Sequence, residues 1–308
     1  MRGYIAYFEQ QCCQEYVLYD SEQANLFKES IRLTPSCPGL CHAVVSVAAL
    51  HLTLRIASAQ CNEKIMAYDS NPYEVQLSQS ADQVRHLYPL PAYHDALYHK
   101  QRTLSFLRSE AYAGCFSNPD GVIASMIMSI WFELMESGRD TWKYHLRGLR
   151  EVMPKRGASL ALFWGGESAA DLPQMTEYFE TSYAIFEIIG STFVKAKQPY
   201  QPLFLMPPTL DILKRYSILH HLQSMDPAGV HLKGILWPAF VIGAEAQTVS
   251  QRAFVTDVFG HLWTLWRCHN VTNALKVLEK IWARRAMDGS SRRWIEYVYE
   301  WGEDWMFI

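Results

Sequence analysis

The chemistry this chain could perform rests first on its seven cysteines and eleven histidines. A binuclear zinc module needs six cysteines in two halves spaced like C-x2-C-x6-C, so that thiolates can bridge two ions. Here Cys12 and Cys13 are adjacent, Cys37 and Cys41 are separated by three residues, and Cys61, Cys115 and Cys268 stand alone. Neighbouring thiols do not readily chelate one tetrahedral zinc, so the sequence predicts neither a metal nor another cofactor. The histidines follow no ligand spacing such as H-E-x-x-H. His94 and His99, five apart, fall on different helix faces. His220 and His221 point apart, and His42 and His51 lie inside an apolar run that predicts hydrogen-bonded core histidines. Nucleophile elbows and phosphate loops are missing, and Gly165-Gly166 lacks the frame of the latter. A Cys41–His145 pair would meet only through folding.

Glu133 is more informative, because it sits between Trp131, Phe132 and Leu134 on an apolar stretch. A buried carboxylate must be paired or neutralised. The sequence predicts an ion pair with Lys143 or Arg147; the alternative is a general acid facing a pocket. Polar and aromatic residues inside apolar helices give a candidate ligand pocket of Trp131, Glu133, Trp142, His145, Tyr183, Trp237 and Trp263. Two basic clusters, Arg147/Arg150/Lys155/Arg156 and Arg284/Arg285/Arg292/Arg293, could touch phosphates. A net charge of -3 argues against a broad nucleic-acid footprint. The basic clusters therefore read better as solvated faces and helix-end charges that complement the macrodipole.

These residues sit on helices. Apolar residues recur at helical spacing along most of the chain, and the alternation of strands is scarce. The pattern predicts helices over 5–19, 26–31, 39–59, 92–112, 122–137, 142–153, 172–197, 211–225, 238–246, 250–267, 271–285 and 292–305. The run LCHAVVSVAALHLTLRIA is apolar on all sides and belongs in the middle of a core. Residues 61–91 read as a loop or insert, Pro154 to Gly157 as a helix end, and residues 199–208, rich in proline, as irregular. No uninterrupted apolar run reaches the 18 or so residues of a membrane helix, and the start has no signal-peptide h-region. The reading is all-α: one large domain over residues 1–308 with about ten helices and no sheet. It is expected to be intracellular, nuclear or cytoplasmic, with reduced thiols.

Several blocks, in order, resemble the regulatory domain of fungal zinc-cluster transcription factors. Asn25-Leu26-Phe27 stands where that family has an Asn-Pro-Phe-like turn, and residues 38–52 resemble its Pro-x-Leu-x-His-Ala helix. Residues 98–110 resemble the helix in which Tyr and Lys precede an Ala/Thr-Leu run. Glu133, Ser137, Gly138, Trp142, His145, Gly148, Arg156 and Gly157 follow the family series. So do Trp237, Pro238, Gly243, Glu245, Arg252, Leu278, Trp282, Arg284 and Trp294. The resemblance implies a transcription-regulator-like protein of metabolite genes, working through a protein partner or an apolar small molecule. The family's zinc cluster is not among the 308 residues, so sequence-specific DNA binding by the chain itself is not expected. One alternative is an enzyme of secondary metabolism, a cyclase or rearrangement catalyst that positions its substrate in an aromatic cavity of the same fold. Another is a scaffold or dimerisation module, possible as a homodimer.

Overall fold

The computed structural model describes residues 1–15, 25–60, 87–113, 116, 118–139, 141–163, 172–193, 234–288 and 292–307. Eleven helices and no strand make up these residues. The first, α1 (Arg2–Tyr7), runs through a π-helical turn (Phe8–Cys12) into Cys13–Glu15. There follow α2 (Leu26–Arg32), α3 (Pro38–Gln60), α4 (Pro91–Ala113), α5 (Pro119–Glu136), α6 (Trp142–Phe163) and α7 (Leu172–Phe193). The second group is α8 (Leu236–Glu245), α9 (Val249–Trp266), α10 (His269–Asp288) and α11 (Trp294–Trp301). The segments expected as an irregular stretch over 199–208 and a helix over 211–225 lie outside the described residues. So does most of the 61–91 insert.

Local chemistry explains most boundaries. The Asn25 side chain accepts hydrogen bonds from the Phe27 and Lys28 amides and caps α2. Asn118 accepts from Gly121 N at 2.9 Å, with Pro119 as the first residue of α5. A capping box between Thr248 and Gln251 opens α9. Each such cap contributes about 1 kcal/mol. Pro154 is a correction: α6 continues through it to Phe163. A proline inside a helix removes one hydrogen bond and costs about 3 kcal/mol. Here Arg150, four residues earlier, is exposed, so its freed carbonyl can turn to water.

Two hydrophobic cores result. The first is centred on α3, which packs against α1, α4 and α5. Val44, Val45, Val47, Ala48, Ala49 and Leu50 are all buried, which is why this helix carries no polar face. At mean hydropathy 1.6 over its best window it could pass for a membrane span by composition, a point the count of uninterrupted apolar residues misses. Of that window 72% is buried inside the protein, the mark of a core helix. The second core gathers Phe240, Phe259, Leu262, Trp263, Leu278, Ile281 and Trp294 between α8, α9, α10 and α11.

A short strap joins the cores. The sequence predicts helix to residue 305, but α11 stops at Trp301 because Gly302 takes the left-handed conformation, φ 67°. Residues 303–307 then run extended across the turn after α5. Met306 N donates to Gly138 O at 2.9 Å, and Asn270 Nδ2 donates to Met306 O at 2.6 Å. Because successive side chains of an extended segment point to opposite sides, Met306 enters the first core while Trp305 and Phe307 enter the second. Gly138 fits this joint for two reasons. Its φ is +70°, and a Cβ there would lie 2.2 Å from Asn270 Nδ2 and 2.9 Å from Met306 O.

Candidate functional site

The polar centre of the first core is built by three helices. On α5, Glu133 and Glu136 are three residues apart and so share a face. The facing helix α4 presents Tyr93 and Lys100, seven residues and two turns apart. His145 comes from α6. Lys100 Nζ lies 3.0 Å from Glu133 Oε1 and 3.0 Å from Glu136 Oε2. The Tyr93 hydroxyl donates to Glu136 at 3.0 Å, and the Thr141 hydroxyl donates to Glu133 Oε2 at 2.6 Å. His145 Nε2 stands 3.7 Å from Glu133 Oε1, an ion-pair distance. The Lys100 ammonium also sits 4.3 Å from the centre of the Phe132 ring.

Glu133 is 3% exposed, and burial is the largest single influence on its carboxyl, pushing the pKa up. The contacts with His145, Lys100 and Thr141 together outweigh it and hold the pKa down at about 2. On Lys100, burial acts downward first, but the charges of Glu136 and Glu133 and their hydrogen bonds raise the net value. A carboxylate ionised to such low pH is a poor general acid or base at neutrality, where a catalytic pKa lies near the working pH. The arrangement is an ion-paired network. Of the two readings of Glu133, the pair describes this geometry, but its partner is Lys100, on another helix and 33 residues earlier in the chain. Lys143 instead reaches Asp304 at 2.5 Å, and Arg147 lies near Glu151. Both lie two residues from His145 on α6, and so on the side of that helix away from Glu133.

The surface dent over this network, between Ser46, Thr103, Ser129, Phe132 and His145, measures about 200 Å³ including its open side. Ligand pockets run to roughly 300–1,000 Å³. The other candidate pocket residues are spread through the molecule. Trp131 packs edge-on against Phe27 and Phe186, at 5.8 and 6.4 Å between ring centres. Trp142 is buried, with its indole N–H directed at Asp304 O at 3.4 Å. The Tyr183 hydroxyl is bonded to Glu187; burial first, and then that carboxylate, raises its pKa. Trp237 stacks on Phe240, and Trp263 lies against His269, both in the second core. The structure thus brings Glu133 and His145 together, leaves Trp131, Trp142 and Tyr183 elsewhere in or beside the first core, and puts Trp237 and Trp263 in another.

A second network was not legible as a unit. The Tyr7 hydroxyl lies 2.9 Å from His51 Nδ1, His51 Nε2 lies 2.7 Å from Glu15 Oε2, and Arg55 reaches Glu15 Oε1 at 2.5 Å. Burial raises the Glu15 pKa, and His51 and Arg55 more than reverse it. The available signal was His51 and Arg55 at i, i+4 on an otherwise apolar helix. Among the basic clusters, Arg150 grips Glu187 through two nitrogens, Arg284 pairs with Asp288, Arg285 with Glu245, and Arg292 and Arg293 with Glu296. The Lys155 and Arg156 side chains, like Cys61, Cys115 and His220-His221, lie outside the described residues. Among the described residues no group of three or more His, Cys, Asp or Glu side chains is gathered closely enough to hold a metal ion.

Comparison with known proteins gives this helical body its relatives. The chain matches the model of the fungal specific transcription factor domain over residues 3–211 and 212–308. It is also similar to the acriflavine sensitivity control protein acr-2 of Neurospora crassa, 38% identical over 70 residues. That stretch covers 21% of this chain and only 12% of the relative's length. No solved structure matches the chain. With the family model spanning nearly all of it, the chain belongs to the fungal-specific transcription factor domain family.

Proposed function

We propose that this chain is a regulatory body that acts on transcription through contact with another protein. The family match carries the reading, and the distribution of polar groups supports it. The charged residues buried in the first core satisfy one another, and the aromatic rings of the second core fill its interior. The chemistry left facing outward is amphipathic: Tyr98 and Tyr112 on α4 and Tyr144 on α6 are largely exposed. Tyrosine is a residue type enriched at protein interfaces. The chain carries no six-cysteine spacing, so the DNA contact that directs it would be supplied by another segment or another protein. The setting would be the nucleus, and metabolite genes are the targets that the family resemblance implies.

The test is a fusion of the chain to a heterologous DNA-binding domain at a reporter promoter. Reporter output should rise or fall at least about threefold against the binding domain alone. A folded, nuclear fusion that leaves output unchanged would overturn the reading. Transcript profiling of a deletion strain then asks whether the affected genes belong to metabolite pathways.

A further inference from the structure

Helix α4 has a face that neither core uses. Tyr93, Ala96, His99, Thr103 and Leu107 are buried, on the side packed against α3 and α5. On the other side a stripe runs from Tyr98 to Tyr112, about 21 Å long at about 1.5 Å per residue. Tyr98 and Tyr112 stand at its two ends, 56% and 78% exposed. Ser105 and Ser109 lie between them on the same side of the helix. Their hydroxyls bond back to the Gln101 and Phe106 carbonyls, so the middle of the stripe is small and makes no demand of its own. Both edges are cationic, with Arg102 along one and Arg108, beside the exposed Leu104, along the other. The Arg108 guanidinium lies 5.6 Å from the centre of the Tyr112 ring, one turn on, which holds it over the stripe. Every exposed position of α4 from Tyr98 to Tyr112 is neutral or cationic, in a chain whose net charge is -3. Other arginines are matched: Arg139, Arg147, Arg150, Arg284 and Arg285 each lie within 4.0 Å of a carboxylate. Among the described residues no carboxylate stands that close to Arg102 or Arg108.

We propose that this face docks an acidic amphipathic helix of another protein, one whose apolar stripe is flanked by carboxylates on both edges. The proposal rests on the reading of the chain as a regulator that works by protein contact, and it names the chemistry of the partner. Serines at the middle let a second helix approach to the roughly 8–10 Å of packed helix axes. The two tyrosines then cover the ends of its apolar stripe, and its carboxylates meet the unmatched guanidiniums on either side. Tyrosine and arginine are the residue types on which binding energy concentrates. Charge selects the partner: a basic helix would set like charges against Arg102 and Arg108 with nothing to relieve them. A nucleic acid fits worse, because two guanidiniums are few beside the 6–10 or so phosphate contacts of a duplex-binding face.

The probe is a labelled synthetic peptide of about 16 residues, enough to span the stripe as a helix. It carries leucine and phenylalanine along one side and glutamate along both edges, and the full chain is titrated into it by fluorescence anisotropy. Binding should be saturable, weaken as salt is raised, and be at least about tenfold tighter than for the same peptide with lysine in place of glutamate. Arg102→Glu/Arg108→Glu should lose at least about tenfold for the glutamate peptide and gain for the lysine one, with circular dichroism and melting temperature unchanged. Arg284→Glu/Arg293→Glu, beside the second core, should leave binding as it was. Should the first variant unfold, Arg102→Gln/Arg108→Gln decides in its place. Equal binding of the two peptides, no binding, or unchanged affinity in a folded variant would each overturn the surface. So would displacement of the peptide by a DNA duplex, or a dimer of the chain that the same variant dissociates. The reporter fusion separates the two proposals. A wild-type fusion that works, with a glutamate variant that works equally well, removes this surface and leaves the regulatory reading standing. A silent wild-type fusion removes that reading, and the peptide titration still judges the surface.

Discussion

The two cores solve the same packing problem with different materials. The first encloses charge: Lys100, Glu133 and Glu136 in one network, and His51 with Glu15, closed from the surface by Arg55, in another. The second encloses rings, some of whose polar edges bond to backbone, while the buried indole nitrogens of Trp266 and Trp305 make no hydrogen bond. Among those that do, Trp282 Nε1 donates to Gly243 O at 2.7 Å. Lost packing in an aromatic core is graded by the volume removed. A charged network fails abruptly, because removing one partner strands the others without water. The first core should therefore be the more brittle half of the molecule, and the second the more tolerant.

Lys100→Met strikes that contrast hardest. It leaves Glu133 and Glu136 facing each other with no cation between them, and the expected loss is about 3–5 kcal/mol in urea unfolding. Adding Glu133→Gln and Glu136→Gln to the same chain should recover much of it. A loss under about 1 kcal/mol for the single variant would remove the claim of brittleness. The next effect is of pH. The Glu133 carboxyl goes from an ordinary 4.5 when unfolded to about 2 in the folded chain. Its contribution is complete above pH 4.5 and is lost as the pH falls towards 2, about 3 kcal/mol in all. Between pH 5 and 3 the wild type should lose stability faster than Glu133→Gln; parallel curves would contradict the linkage.

Gly138→Ala attacks the joint and should cost about 2 kcal/mol or more, from the left-handed backbone and the collision with Asn270. Most of the described tryptophans, Trp237, Trp263, Trp266, Trp282, Trp294, Trp301 and Trp305 among them, belong to the second core. Their fluorescence should then unfold at a different urea concentration from the helical circular dichroism; coincident transitions would mean that the cores remain one cooperative unit. The smallest effect is Thr248→Ala, which removes the side-chain half of the α9 capping box. About 1 kcal/mol is expected, measurable as a shift of the second core's transition alone.

Much of this fold was legible. The all-round apolar run gave the central helix its place, and the helix expected over 122–137 is α5 to within three residues at either end. Pro154 misled because a single lost hydrogen bond on an exposed turn is cheaper than ending a helix whose flanks both propagate. Glu133 was legible as a buried charge in need of a partner, since one side chain on an apolar helix declares that need. Its partner was not, because Lys100 reaches it only through the packing of α4 on α5. The pocket list failed to converge for the same reason: aromatic residues at helical spacing report burial, and nothing in spacing says which of two cores receives them. The strap was read as helix, its aromatic residues fitting either period over so short a length.

That strap also orders events during synthesis. Residues 303–307 leave the ribosome after every other described segment, so the first core's helices are out before the piece that ties them to the second core. Until the strap arrives, the carbonyl of Gly138 and the donor amide of Asn270 wait uncovered. A chain cleaved short of Trp305 would lack Met306 from the first core and Trp305 and Phe307 from the second, and would leave the seam between them open.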